Sequence, residues 1–134
     1  MEKQNGVTLI ELLIAVAVIG VLTALAYPSY QAHVLKGHRS QVMADMIKIQ
    51  LNLEESYSQT GSYDDSIVTE GTCSFCETDT NRYKLEIDSS GMGMDTYKII
   101  ATPQASSGQA QDSCKILTLN AGGIGTASGS GQCW

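Results

Sequence analysis

Histidine, aromatic residues and charged residues are all scarce in this chain of 134 residues. Aromatic residues make up 6% and charged residues 16%, and the two histidines are His33 and His38. Both lie near the start of the chain, so a histidine-based catalytic or metal site in the C-terminal half is not expected. No nucleophile–base pair, phosphate-binding glycine loop or carboxylate cluster is evident, so we do not expect an enzyme, a metal ion or a cofactor.

Basic residues are few as well. Eight Lys and Arg stand against fourteen Asp and Glu, which gives a formal net charge of -6. Binding to a nucleic-acid backbone needs a cationic surface, so nucleic acid is not an expected partner. Arg82, Lys84 and Lys98 could form a small basic strip across two strands, and the usual meaning of such a strip is a solvated face.

The chain is long enough for one domain, and its apolar residues concentrate near the N-terminus. The run from Val7 to Ala26 holds a single charge, Glu11, and as a helix it would span roughly 30 Å, the hydrocarbon thickness of a bilayer. An ordinary signal peptide cut after Ala26 is one interpretation, but the run is longer than such peptides use. A plain membrane anchor leaves Glu11 unexplained, because a carboxylate inside an apolar run is costly.

The junction Gly6-Val7-Thr8-Leu9-Ile10-Glu11 offers an explanation for that carboxylate. It resembles the cleavage and methylation site of class III signal peptides, which type IV pilins and related pseudopilins carry. The resemblance implies that a prepilin peptidase cuts between Gly6 and Val7, methylates the Val7 amine and leaves the apolar helix in the mature protein. Val7 stands where the family usually has Phe, while Gly20 and Pro28 match family positions.

The resemblance also implies assembly roles for Glu11, Gly20 and Pro28. In a helical filament, Glu11 of one subunit would face the cationic Val7 amine of a neighbour, because a charge in an apolar core is tolerable when it is paired. Such a pair favours one register of packing. Gly20 and Pro28 disfavour helix, and the resemblance implies that the stretch between them can partly melt when a subunit leaves the bilayer. Alternatively, Gly20 only permits close helix contact and Pro28 only adds a bend.

After Pro28, apolar residues recur at the spacing of one helix face. They are Leu35, Val42, Met46, Ile49, Leu53 and Tyr57. The pattern predicts one helix from Val7 to about Gln59 that Gly61 ends, half of it an anchor and half the spine of a core. Arg39 lies off the apolar face, His33 and His38 are interpreted as solvated, and Tyr57 and Tyr63 are predicted to pack the helix end.

From Asn81 the pattern changes to period two, which is typical of strands. The segments predicted as antiparallel strands are 82–88, 95–102 and 114–120. We therefore expect an α+β fold in which the long N-terminal helix packs on a three- to four-stranded antiparallel sheet. The expected division is a leader at residues 1–6, a transmembrane and filament-core helix at 7–28, and a globular head at 29–134.

Four cysteines in a small chain suggest an oxidising compartment, and they permit three pairings. The C-terminal half resembles that of PilE-type minor pilins in segments such as Leu117-Thr118-Leu119-Asn120, and the resemblance implies a disulfide between Cys114 and Cys133. Cys73 and Cys76 then remain, and we favour a local disulfide between them. A redox site or a four-cysteine zinc site has little support, whereas a crossed pairing such as Cys76 with Cys114 remains open.

The resulting hypothesis is a structural, minor subunit of a type IV pilus that supports pilus assembly, adhesion, twitching motility or DNA uptake. The implied partners are other pilin subunits, the prepilin peptidase, the inner-membrane assembly platform and, before assembly, membrane lipid. The head would be periplasmic on a single-pass inner-membrane anchor and extracellular in the pilus, although Lys36 and Arg39 favour the opposite topology by the positive-inside rule. The alternatives are a type II secretion pseudopilin and a secreted binding module released by ordinary signal peptidase.

Overall fold

The structure, a computed structural model, describes residues 6–134. The predicted leader therefore lies outside the described residues except for Gly6. The chain divides between Val34 and Leu35 into two compact units. Every strand found in the described residues belongs to the second unit.

A single helix, α1, runs from Leu9 to Thr60, which confirms the long helix expected from the sequence. Pro28 lies inside it. The helix ends where Gly61 adopts a φ of 76°, in the left-handed region that favours glycine. The Gly61 N–H donates to the carbonyl of Tyr57 at 2.8 Å, so one of the last free carbonyls of the helix is satisfied.

Four side chains of α1 form the helical half of the core in the second unit. Val42, Met46, Ile49 and Leu53 are fully buried, which confirms the centre of the predicted apolar face. At its two ends the prediction is wrong, because Leu35 is only half-buried and Tyr57 is exposed. Tyr57 stacks instead on Tyr63, with ring centroids 4.6 Å apart, so the expected packing of these two rings at the helix end is confirmed.

The strands form two antiparallel sheets. The smaller sheet is a hairpin of β1 (Val68–Thr69) and β2 (Thr72–Cys73). The larger has the order β3-β4-β5-β6, with β3 at Tyr83–Asp88, β4 at Lys98–Pro103, β5 at Leu117–Asn120 and β6 at Gly125–Ala127. All neighbouring strands are antiparallel. The α+β class and the four-stranded sheet are thus as the sequence predicts.

The alternation along β3 and β4 determines which side chains face the helix. Tyr83 and Leu85 are buried on β3, and Ile99 and Ala101 are buried on β4. Leu85 lies opposite Ala101 in the register, and Ile99 lies opposite Leu119 of β5. Because successive side chains point to opposite faces, this register gathers the buried residues on one side of the sheet.

β3 begins one residue later than predicted and β4 and β5 begin three residues later, and the β1–β2 hairpin has no clear sequence signal. β4 begins at Lys98 because Gly93–Asp95 forms a 3-10 turn. β5 begins at Leu117 because Lys115, at a φ of 58°, closes a turn by donating its N–H to the Asp112 carbonyl at 3.2 Å. The β1–β2 hairpin turns through Glu70 and Gly71, both at positive φ, a turn type in which Asn-Gly or Asp-Gly is the usual pair.

Candidate functional site

The N-terminal unit is apolar and has its side chains exposed. Its large apolar residues between Val7 and Tyr30 are 52–76% exposed. Helix α1 meets the length and composition expected of a membrane span. Exposed apolar surface of this extent is unfavourable in water, so lipid or other protein must cover it in the cell.

Glu11 has a local role that the sequence analysis missed. Its carboxylate Oε2 accepts hydrogen bonds from the Thr8 N–H at 2.8 Å and from Thr8 Oγ1 at 2.7 Å. The Glu11 N–H donates to Thr8 Oγ1 at 3.3 Å in return. This reciprocal pair is a capping box, and the spacing Thr8-x-x-Glu11 is its sequence signal. Glu11 therefore caps the start of its own helix.

Gly6, Val7 and Thr8 precede the helix and are exposed. Gly20 lies within the helix, and a Cβ placed there would meet nothing within 4 Å. No contact within the described chain therefore requires glycine at position 20. Pro28 also lies inside the helix and has no N–H to donate to the preceding turn. The stretch between Gly20 and Pro28 is helical in this state.

A buried ion pair links α1 to the loop before β5 in the second unit. Arg39 Nη1 lies 2.6 Å from Asp112 Oδ1, and the two side chains are 12% and 2% exposed. The same nitrogen donates to Cys114 Sγ at 2.9 Å. The sequence pattern placed Arg39 off the apolar face and gave no sign that its side chain is largely buried. Its partner lies 73 residues away, beyond the reach of helix periodicity.

Tyr83 and Gln109 complete this buried cluster. Gln109 Nε2 donates to the Tyr83 hydroxyl at 3.2 Å and to the Leu35 carbonyl at 3.0 Å. The Tyr83 hydroxyl donates to Asp112 Oδ2 at 3.5 Å. Burial, with a smaller contribution from the negative charge of Asp112, raises the pKa of Tyr83 to about 12. The phenol is therefore neutral at physiological pH.

A second buried carboxylate, Asp45, holds the segment that follows Cys76. Asp45 Oδ2 accepts from the N–H groups of Glu77 and Thr78, at 2.9 and 2.7 Å, and from Thr78 Oγ1 at 2.5 Å. Lys48 Nζ donates to Asp45 Oδ1 at 3.0 Å. Burial opposes the charge, but these hydrogen bonds together outweigh it and lower the pKa of Asp45. Asp45 occupies the apolar face of α1, where the sequence pattern gives no reason to expect a charge.

The structure brings the cysteines together in two pairs. Cys73 is joined to Cys76 with their Cα atoms 5.0 Å apart, and Cys114 is joined to Cys133 with 5.7 Å between Cα atoms. The first pair joins the last residue of β2 to Cys76, which directly precedes the segment held by Asp45. The second ties the residues after β6 to the loop before β5.

The charges of the second unit differ between its two ends. One end is the end at which Gln109 contacts the Leu35 carbonyl. At this end Arg82 Nη1 donates to the Ser107 carbonyl at 3.0 Å, and Lys115 Nζ donates to the Ala110 carbonyl at 2.7 Å. Two cations thus border the loop from 104 to 111. At the other end, Tyr97 donates to Glu54, Asn120 to Asp95 and Ser89 to Asp65, so exposed carboxylates lie there together with Lys98.

The predicted basic strip of Arg82, Lys84 and Lys98 is wrong. The register places Lys98 opposite Asp88, at the far end of β3 from Lys84. Lys98 Nζ also lies 3.8 Å from Asp95 Oδ1, so its charge is partly neutralised. Within residues 6–134, no group of three or more His, Cys, Asp or Glu side chains is placed to hold a metal ion. His33 is exposed, as expected, and His38 is half-buried.

A solved structure shares this fold. The high-resolution structure of a type IV pilin from Shewanella oneidensis superimposes with a TM-score of 0.54 over 75% of this chain and 97% of that chain. The two sequences are 19% identical, so the likeness concerns the fold alone.

Curated relatives match a shorter segment. Fimbrial protein EcpB of Eikenella corrodens is 48% identical over 46 residues, which are 34% of this chain and 29% of EcpB. The type IV major fimbrial protein FimA of Dichelobacter nodosus is 43% identical over 51 residues, 38% of this chain and 33% of FimA. The matched part of this chain thus spans well below two thirds of either relative's length.

Two family models together match most of the chain. Residues 1–27 match the prokaryotic N-terminal methylation motif. With the apolar helix and the antiparallel sheet, this motif defines a type IV pilin with a class III signal. Residues 28–118 match the family described as type IV minor pilin ComP, DNA uptake sequence receptor. The chain belongs to this family.

Proposed function

We propose that the chain is a minor subunit of a type IV pilus, stored in the inner membrane and assembled through α1. The observation that carries the proposal is the exposed apolar surface from Val7 to Tyr30, which needs lipid before assembly and neighbouring helices afterwards. The head would lie in the periplasm first and on the pilus surface later. Adhesion, twitching motility and DNA uptake would then be properties of the whole filament.

Processing would occur between Gly6 and Val7. These residues are exposed and precede the first helical residue, Leu9, so a prepilin peptidase could bind them in extended form. Cleavage would place a methylated amine at Val7, next to the Thr8–Glu11 capping box. Glu11 could then exchange its bonds with Thr8 for the Val7 amine of a neighbouring subunit, with other pilin subunits and the assembly platform as partners.

Two substitutions at Glu11 separate the cap from the charge. Glutamine can replace glutamate in a capping box, whereas alanine cannot. If the charge pairs with the Val7 amine, Glu11→Gln and Glu11→Ala should both be depleted from sheared filaments, by about tenfold or more, with normal head folding. If only the cap matters, Glu11→Gln should assemble normally, and the proposed pairing would be refuted.

Minor status is tested by abundance. Quantitative mass spectrometry of sheared filaments should find this chain at a small fraction of the main pilin. A ratio near or above one would make it the major subunit. Recovery only with a secretion complex would instead favour the pseudopilin alternative.

A second candidate function, DNA capture by the head, is favoured by the description of the matching family as a DNA uptake sequence receptor. The candidate contact is the loop from 104 to 111, bordered by Arg82 and Lys115. The acidic remainder of the head opposes binding, so the dependence of DNA affinity on salt concentration should be small.

Full-length protein in detergent should bind duplex DNA. Lys115→Ala should lower the slope of log binding constant against log salt concentration by about 1, whereas Lys98→Ala, at the acidic end, should not. Equal effects of the two variants would refute this contact.

A further inference from the structure

The disulfide between Cys114 and Cys133 has a cation against one of its two sulfur atoms. Arg39 Nη1 lies 2.9 Å from Cys114 Sγ. This nitrogen carries two hydrogens, so it can bind Asp112 Oδ1 and Cys114 Sγ at the same time. Within residues 6–134, the Cys73–Cys76 disulfide has no corresponding hydrogen bond from a cationic side chain. The two disulfides of the head therefore differ in chemical surroundings.

Both cysteines are buried, but to different degrees. Cys133 is 8% exposed as a residue, whereas Cys114 is 1% exposed beneath the Arg39–Asp112 pair. A thiolate that attacks a disulfide must reach one sulfur, and the other sulfur leaves as a thiolate. Attack at the more exposed Cys133 would release the sulfur of Cys114, which is the sulfur that Arg39 contacts.

We propose that the Cys114–Cys133 disulfide is a thiol-exchange site with a fixed direction, in which an external thiolate attacks Cys133 and Cys114 leaves. One S–S bond forms between the external sulfur and Cys133 Sγ, and the bond between Cys133 and Cys114 breaks. The electron pair of the broken bond goes to Cys114 Sγ. The external group is a thiolate of a small thiol or of a disulfide-exchange enzyme, and no other oxidant or reductant is needed.

Arg39 makes this direction favourable because a neighbouring cation stabilises a thiolate and a stabilised leaving thiolate departs faster. Asp112 acts against it, since its carboxylate lies on the same guanidinium and accepts the Cys114 N–H at 2.9 Å. After exchange, Arg39 Nη1 can donate one hydrogen to the Asp112 carboxylate and the other to the Cys114 thiolate. In the reverse reaction, the Cys114 thiolate is positioned to attack a mixed disulfide at Cys133 and close the native bond.

This inference does not depend on whether the chain enters a pilus, and it is tested on the oxidised full chain in detergent. The protein is exposed briefly to reduced glutathione near pH 8, quenched with acid and N-ethylmaleimide, and mapped by peptide mass spectrometry. We expect glutathione on Cys133 and N-ethylmaleimide on Cys114, in a ratio of about ten to one or higher. Glutathione on Cys114, or an even distribution, would overturn the direction.

To test whether the Arg39–Asp112 pair speeds exchange, both residues must be changed together, because changing one alone leaves the other charge buried and unpaired. The double variant Arg39→Gln/Asp112→Asn is close in shape, keeps hydrogen-bonding groups and removes both charges. With the fold verified by circular dichroism, exchange at Cys133 should slow by about tenfold relative to the unchanged protein. Exchange at Cys73–Cys76 in the same sample is the internal control and should not change. An unchanged rate at Cys133 would refute a net acceleration of the exchange by the Arg39–Asp112 pair.

Discussion

Helix α1 is one continuous element with two opposite patterns of burial. Between Val42 and Leu53, four apolar side chains are fully buried against the sheet. Between Val7 and Tyr30, every large apolar side chain is more than half exposed. The first stretch stabilises the head of its own chain, whereas the second has no partner within the described chain. Apolar content alone therefore does not distinguish a core from a surface for assembly.

The largest expected contrast comes from one substitution made in both stretches. Ile49→Ala removes a fully buried side chain and should lower the free energy of unfolding of the head by about 2–5 kcal/mol. Ile14→Ala removes an exposed one and should leave head stability unchanged while reducing recovery in filaments. Denaturant unfolding followed by near-UV circular dichroism measures the first effect. A comparable loss of head stability in Ile14→Ala would contradict the division of roles.

The Cys114–Cys133 disulfide should contribute to the head alone. It closes a loop of sequence separation 19, for which chain entropy gives about 3 kcal/mol. The double variant Cys114→Ser/Cys133→Ser should therefore unfold at lower denaturant concentration. Membrane insertion of the N-terminal stretch should not change, as tested by extraction of the variant from membranes. The matched variant Cys73→Ser/Cys76→Ser removes a disulfide that closes a much shorter loop, of sequence separation 3, and should lower stability less.

Asp45 should make the stability of the head depend on pH in the acidic range. Its pKa is lowered in the folded state, so its stabilisation is present above its ordinary pKa of 3.8 and is lost as pH falls below that value. Asp45→Asn should lower stability near pH 7 by about 1–3 kcal/mol, because the Glu77 and Thr78 donors lose a charged acceptor. The gap between variant and parent should shrink on acidification. A gap that stays constant between pH 7 and pH 3 would contradict this assignment.

Tyr83 should have a smaller effect on the stability of the head, at alkaline pH. Its pKa is raised to about 12 in the folded state, so the stabilisation is present below its ordinary value of 10.0 and is lost as pH rises through about 12. Tyr83→Phe should cost about 0.5–1.5 kcal/mol at neutral pH and weaken the alkaline transition. Thermal unfolding at pH 7 and pH 11 measures both. If Tyr83→Phe loses stability between pH 7 and pH 11 as steeply as the parent, the alkaline loss of stability belongs to another group.

Local patterns predicted much of this molecule, and distant pairings account for most of what they missed. The alternation of Tyr83, Leu85 and Ile87 predicted β3, because a half-buried strand has period two. Arg39 and Asp45 were missed, because their partners lie far away in sequence and no periodicity identifies them. The Thr8–Glu11 cap does have a local sequence signal, the Thr-x-x-Glu spacing. It was missed because both residues lie within the apolar run and Glu11 was interpreted only as a charge in that run.

We propose above that the exposed apolar stretch from Val7 to Tyr30 remains in the mature protein and serves assembly. The most direct test is the intact mass and N-terminal peptide of the chain recovered from sheared filaments. We expect a chain that begins at N-methylated Val7 and retains Glu11. A chain that begins at Tyr27 would contradict it, because cleavage there removes the assembly stretch and leaves a secreted head.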